Sequence, residues 1–206
     1  MMIDRKTLEA LVVHLKKGEV ALLPFDTCYG LVCDGTNPNA CTKLYQLKQR
    51  SRTKPAALVV PSVDAVLSYA AMSPSQEGVL RRLMPGKVTA IVRLKEGVEF
   101  PRGYVQTQYD TASFRVVKSN LINTVLERFG KPLLATSANL DGHPVILSKT
   151  DYIMHPFNKE RSGRIFALVE EVYERPAHST VIDLTTDDPE IVRPGAVPDI
   201  EIKQAA

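Results

Sequence analysis

No uninterrupted apolar run among the 206 residues approaches the roughly 18 that a helix needs to cross a bilayer, so the sequence offers no membrane span. Cysteine is scarce. Cys28, Cys33 and Cys41 are odd in number and form no CxxC pair, which argues against a disulfide frame or a structural zinc and fits a reducing compartment. GxxxxGK[ST], GxGxxG, HExxH and GxSxG are all missing, which removes the usual signals of a P-loop NTPase, a Rossmann dehydrogenase, a zincin and an α/β-hydrolase. There is no internal repeat and no low-complexity segment. Charge is nearly balanced: 26 Lys and Arg against 23 Asp and Glu leave +3, too little to mark a nucleic-acid binder. With 44% hydrophobic and 24% charged residues, the composition is that of a folded chain with material for one core. The stretch Leu8 to Leu15 is broken by Glu9 and His14, with no small-residue cleavage site behind it. The expectation is a cytoplasmic protein with a single domain over residues 1–206.

The apolar spacing places the elements. Leu8, Leu11, Val12 and Leu15 behind Asp4 predict a helix over 5–17, stopped by Gly18, and Val20 to Pro24 reads as a buried strand. Asn37-Pro38 opens a second helix with Ala40, Cys41, Leu44 and Leu47 inward, and Ser73-Pro74-Ser75-Gln76 is a capping box for a third. Ser119 caps a helix carrying Leu121, Ile122, Val125, Leu126 and Phe129, and Gly130 closes it. Strands are expected at 56–60, 88–94, 111–116 and 132–136, and the tail reads as strands at 165–169, 180–184 and 190–193. Strands alternating with helices early and clustering late predict an α/β fold, a twisted open mixed sheet with flanking helices. Pro144 to Arg164 has the weakest periodicity. A short helix starting at Ser148 with Asp151 is the one pattern in this candidate lid.

Lys48-Gln49-Arg50-Ser51-Arg52-Thr53-Lys54-Pro55 puts four cations in seven positions between a helix and a strand. The loop suits phosphates, and it equally suits a solvated helix end, where the dipole attracts cations. In Leu133-Leu134-Ala135-Thr136-Ser137-Ala138-Asn139 an apolar strand runs into short polar side chains, either a ligand site at a strand end or an ordinary capped turn. Ser179-Thr180-Val181-Ile182-Asp183 carries the same ambiguity. Thr27 also belongs at a strand end. Arg115 and Arg193 fall in or beside strands, where an arginine needs a carboxylate, a phosphate or solvent. His14, His143, His155 and His178 stand isolated, which fits core, surface or capping roles, and Cys28 reads as a small buried thiol.

Taken in order, these segments resemble the YrdC/TsaC-like threonylcarbamoyl-AMP synthases from about Val20 to Gly195. The matching runs are Pro24-Phe25-Asp26-Thr27 with Tyr29-Gly30-Leu31, Lys48-x-Arg50 with Lys54-Pro55, and Pro85-Gly86 with Thr89. Arg115, Thr136-Ser137-Ala138-Asn139, Ser179 to Asp183 and Arg193-Pro194-Gly195 complete the set.

The resemblance implies a YrdC-like fold around a concave basic cavity. It also implies an enzyme joining L-threonine, bicarbonate or CO2 and ATP into threonylcarbamoyl-AMP and pyrophosphate. Mg2+ is expected with the ATP, and the product is expected to feed threonylcarbamoyl-adenosine modification of tRNA through partner proteins. On that pattern Lys48 and Arg50 are catalytic. Arg50, Lys54, Thr111, Ser137, Asn139 and Arg193 hold ATP, and Thr27, Arg115, Ala135 and Ser179 hold threonine. Metal ligands are not indicated beyond Asp26 and Asp183. The sequence departs from the pattern at Phe25, where a small polar residue is usual, at Phe114 and Val117 around the arginine, at Leu140-Asp141-Gly142 after the Asn segment, and at Val59, where a histidine is common. Two other readings stand beside the synthase: a paralogue with a different acceptor, and a non-catalytic module binding double-stranded RNA.

Overall fold

The computed structural model describes residues 3–159, 165–169 and 177–205. The first helix, α1 (Arg5–Lys16), starts where Asp4 accepts a hydrogen bond from the amide of Thr7 and ends before Gly18, which takes the left-handed conformation at φ 73°. β1 (Val20–Pro24) and β2 (Tyr29–Asp34) form an antiparallel pair. Asn37 caps α2 (Pro38–Lys48), and β3 (Ala57–Val59) follows the basic loop. α3 (Val63–Tyr69) and α4 (Pro74–Leu83) come next, the latter with the capping box of Ser73 and Gln76 formed in both directions. β4 (Val88–Arg93), β5 (Thr111–Arg115), α5 (Asn120–Phe129, closed by Gly130 at φ 78°) and β6 (Leu133–Ser137) then alternate. The remaining elements are α6 (Lys149–Met154, capped by Ser148), α7 (Pro156–Lys159), β7 (Ile165–Ala167), β8 (Thr180–Asp183), β9 (Glu190–Arg193) and α8 (Asp199–Ala205).

The strands make one open sheet in the order β7-β1-β2-β6-β3-β5-β4-β8-β9. Pairs β1/β7, β3/β5 and β4/β8 are parallel and the rest antiparallel, so the fold is the mixed α/β sheet with flanking helices that the alternation predicts. Three elements differ from expectation. β2 is buried along its whole length and has no period-two pattern to announce it. α3 is only seven residues long, and the tail closes with α8 as well as strands. The lid candidate 144–164 contains α6 and α7, while residues 160–164 lie outside the described residues.

The two faces of the sheet are covered unequally, and this creates the site. Even-numbered side chains of the central strands, including Leu58, Ala90, Val92, Ala112, Phe114, Leu134 and Ile182, join one cluster with α2, α3, α4 and α8. On the other face α1 and α5 cover Ala21, Leu23, Val32, Val59 and Leu133 with Leu11, Leu15, Ile122, Val125 and Leu126. That second layer stops short. Beyond it, odd-numbered residues of β4, β5, β6 and β8 line an open hollow instead of a helix.

Candidate active site

The hollow has a volume of about 300 Å³ and is lined from eight parts of the chain. Thr89 and Ile91 come from β4, Thr111, Ser113 and Arg115 from β5, Ala135 and Ser137 from β6, and Val181 from β8, all on one face by the two-residue alternation of strands. Phe25, Thr27 and Cys28 enter from the β1–β2 turn, Arg50 from the basic loop, His178 and Ser179 from the approach to β8, and Arg193 from the end of β9. The sheet supplies hydroxyls, apolar side chains and the Arg115 guanidinium. The rim supplies those of Arg50 and Arg193.

Eight of the eleven site residues expected from the sequence meet here: Thr27, Arg50, Thr111, Arg115, Ala135, Ser137, Ser179 and Arg193. Lys48, Lys54 and Asn139 do not reach the lining. Lys48 is 1% exposed, and its Nζ donates to the carbonyl of Ser137 at 2.7 Å, the carbonyl of Asn139 at 3.0 Å and the Asn139 side-chain oxygen. Burial, and then the nearby Arg50, push its pKa down to about 8. Asn139 is buried in the same knot, accepting from Ser137 Oγ at 2.7 Å and donating to the carbonyl of His143. Lys54 is largely exposed and ion-paired at 3.0 Å with Asp141, whose carboxyl it holds below its ordinary range.

The cations on the lining are held differently. Arg50 follows Gln49, which caps α2 in the left-handed region at φ 55° and turns the chain back toward the sheet. Its Nε donates to the carbonyl of Lys54 at 2.9 Å, and its nearest carboxylate, Asp141, lies 3.8 Å away. Arg193 donates to the carbonyl of Ser179 at 2.8 Å and to its hydroxyl at 3.3 Å, and the same hydroxyl meets that of Thr89 at 2.8 Å. Among the described residues Arg193 has no carboxylate partner. Burial lowers its pKa, and Arg50 and Arg115 lower it further, so the three guanidinium groups are close enough to repel. Such crowding favours a polyanion between them. Arg115 is different again: it is buried, ion-paired with Asp26, and donates to Thr27 Oγ1 at 3.2 Å.

Close approach of backbones fixes two walls. A Cβ on Gly195 would lie 2.5 Å from the carbonyl oxygen of His178 and equally near the Ser179 and Thr180 backbone, so only glycine lets the Arg193-Pro194-Gly195 turn press against Ser179. A Cβ on Gly30 would lie 2.8 Å from the ring of Phe25, which therefore rests on the bare backbone of β2. Asp26 and Asp183 do not form a metal centre. The first is committed to Arg115 and the second accepts from the amide and hydroxyl of Thr185, and among the described residues no three His, Cys, Asp or Glu side chains group together. Thr107, Ser113 and His178 also line the cavity, although nothing singled them out as ligand-facing in the sequence. For Ser113 the signal was present: Thr111-Ala112-Ser113-Phe114-Arg115 alternates polar and apolar residues, the mark of a strand with one face left open.

An open α/β sheet presenting hydroxyls and three arginines around one cavity defines a protein that binds a small anionic substrate. The comparisons make the class specific. The family model Sua5_yciO_yrdC, described as telomere recombination, matches residues 13–195, and the chain belongs to that family. A curated relative from Vibrio parahaemolyticus, called threonylcarbamoyl-AMP synthase, is 34% identical over 139 residues, 66% of this chain and 74% of its own. Two solved structures share the fold at 24% identity. Sua5 of P. abyssi complexed with L-threonine gives a TM-score of 0.85, with 100% of this chain and 58% of that one covered, and E. coli YciO gives 0.83, with 98% and 94% covered. Relative to the Sua5 structure, the chain spans little more than half the length.

Proposed function

We propose that this chain is an L-threonylcarbamoyl-AMP synthase, a nucleotidyltransferase that joins L-threonine, bicarbonate or CO2 and ATP and releases pyrophosphate. The observation that carries the reading is the convergence of Arg50, Arg115 and Arg193 on one cavity that also presents the hydroxyls of Thr27, Thr111, Ser137 and Ser179. The curated relatives' shared name supports it.

In this reading Arg50 and Arg193 face the triphosphate. They stabilise charge on the α-phosphate and on departing pyrophosphate by position, without a covalent intermediate. Thr111 and Ser137 orient the nucleotide. Arg115, its charge partly balanced by Asp26, receives the amino-acid carboxylate, with Thr27, Ala135 and Ser179 around the polar end. Lys48 and Asn139 act one step back, by fixing Ser137, and Lys54 acts at the outer edge of the basic loop. Among the described residues the carboxylates do not group into a resident Mg2+ site, so magnesium is counted as part of the nucleotide substrate. Supply of the product to tRNA modification through partner proteins, and a cytoplasmic setting, belong to the same proposal. Among the described residues no helix is long and apolar enough to cross a membrane.

Phe25 favours a second reading, a paralogue with another acceptor, because its ring occupies a wall of the amino-acid end. Pyrophosphate release with ATP and bicarbonate, with threonine added, omitted or replaced by serine, tests both. Threonine-dependent release supports the synthase and release with another acceptor the paralogue. Absence of release with any acceptor, alongside binding of duplex RNA, leaves the non-catalytic module.

A further inference from the structure

Among the described residues the cavity lining contains no carboxylate, although the proposed reaction must remove protons: threonine arrives as an ammonium ion, and only the free amine attacks carbon. Among the described residues six lining side chains carry an ionisable group: Cys28, Tyr29, Arg50, Arg115, Arg193 and His178. The arginines stay protonated. Cys28 is a poor acceptor because burial pushes its thiol up, and Tyr29 is a buried phenol, a group type that is ordinarily protonated in neutral solution. His178 remains.

Its placement is firm. The carbonyl of His178 accepts from the amide of Ala196 at 2.8 Å, and Gly195 packs against the same peptide, so the backbone carrying the imidazole is clamped. The next residue is Ser179, whose hydroxyl is anchored by Thr89 and Arg193 at the proposed amino-acid end. We infer that His178 is the proton acceptor for the threonine ammonium, a catalytic residue for carbamate formation, resting on the synthase reading above. The ammonium gives one proton to the imidazole. The freed lone pair forms the N–C bond to CO2 while one C–O π pair moves onto oxygen, and the nitrogen's second proton leaves to water at the open mouth.

The charged surroundings suit that role. Partial burial, then Arg193, then Lys48, hold the His178 pKa below its ordinary 6.5, so the ring is neutral at pH 7 and able to accept. Among the described residues the other charged or titratable groups facing the cavity are Arg50 from the loop after α2, Arg115 from β5, Cys28 from the β1–β2 turn and Tyr29 from β2.

The test is the ratio of kcat/KM for threonine between the unaltered chain and His178→Gln, read from pH 5 to 8.5. Taking the ratio cancels the ionisation of threonine and bicarbonate. It is expected to be about 100 near pH 7.5 and to fall toward 1 below the histidine pKa. His178→Ala is expected to regain at least about tenfold with added imidazole, in proportion to the neutral form, while affinity for a non-hydrolysable ATP analogue stays unchanged. A ratio near 1 at every pH, or a constant ratio without rescue, overturns the assignment while leaving the synthase intact. Absence of threonine-dependent pyrophosphate from the unaltered chain at every pH ends both proposals.

Discussion

Lys48 Nζ lies 2.7 Å from the carbonyl oxygen of Ser137, joining the last turn of α2 to the end of β6 across 89 positions of the chain. With both acceptors of Asn139 it makes a buried ammonium satisfied by neutral oxygens. Lys48→Met removes the donor and leaves those oxygens underpaired, which is expected to cost about 2 kcal/mol in urea unfolding. The nucleotide KM is expected to rise more than kcat falls, because Ser137 loses its position. A loss confined to kcat, with the nucleotide KM unchanged, would return Lys48 to the catalytic role that its place in the Lys48-x-Arg50 run suggests.

The same lysine sets a pH dependence. Its pKa is about 8 in the folded chain and 10.5 in the unfolded one, so between these values the unfolded chain binds more protons and folding stability from this group rises with pH. The contribution is complete above 10.5 and lost as pH falls through about 8. Activity is expected to move the other way, because the ammonium has three donors and the amine two. A plot of nucleotide affinity against pH should therefore bend down near 8 while the melting temperature does not, and Lys48→Met should remove the bend.

Arg50 touches the fold lightly and the cavity directly. Its bonds to the carbonyls of Lys54 and Pro55 lie at the edge of the basic loop, and its nearest carboxylate, Asp141, is 3.8 Å away. Arg50→Ala is expected to lower kcat/KM for ATP by about 10²–10³ with a melting temperature close to that of the parent. Arg50→Lys keeps the charge without the planar fork and should recover only part of the loss. Unchanged turnover in Arg50→Ala would remove the loop from the mechanism.

Much of this arrangement was legible in the residues. Asp4, Asn37, Ser73 and Ser119 each announce a helix start by a side chain that accepts from the first turn, and all four do so in the structure. β2 was not legible, because a strand buried on both faces loses its alternation. For the site, the motif residues Arg50, Arg115, Ser137, Ser179 and Arg193 all come to line one cavity. Adjacency in the chain does not give side-chain direction, however. Lys48 and Arg50 are two positions apart, yet the left-handed Gln49 between them leaves one inside the protein and sends the other to the cavity. His178 was hidden for a related reason: its partners Gly195 and Arg193 come from a distant turn.

Asp26 and Arg115 form an ion pair in which each side chain is only 10% exposed. Breaking such a pair strands a charge in low dielectric, so Asp26→Leu is expected to destabilise by about 3 kcal/mol or more. The double variant Asp26→Leu with Arg115→Met replaces both charges by apolar groups and should recover most of that stability without recovering threonine-dependent activity. Urea melts beside pyrophosphate assays separate the two effects. A double variant with parental activity would exclude Arg115 from the amino-acid site.

Phe25 and Gly30 depend on one another, because the ring lies where a Cβ on residue 30 would come within 2.8 Å of two of its carbons. Gly30→Ala is expected to push the ring out of place, at a cost of about 1–3 kcal/mol for overpacking. Phe25→Ala alone loses buried ring area but opens the amino-acid wall. Combining the two gives the new methyl group the vacated space, so the double variant should be less destabilised than the sum of the singles by about 1 kcal/mol or more. The same pair bears on acceptor choice. Since Phe25 lines the cavity, Phe25→Ala is expected to relax selectivity between threonine and larger β-substituted amino acids, raising kcat/KM for the larger acceptor by about tenfold relative to threonine. Unaltered selectivity in that variant would mean that the aromatic wall closes off solvent and does not read the side chain of the acceptor.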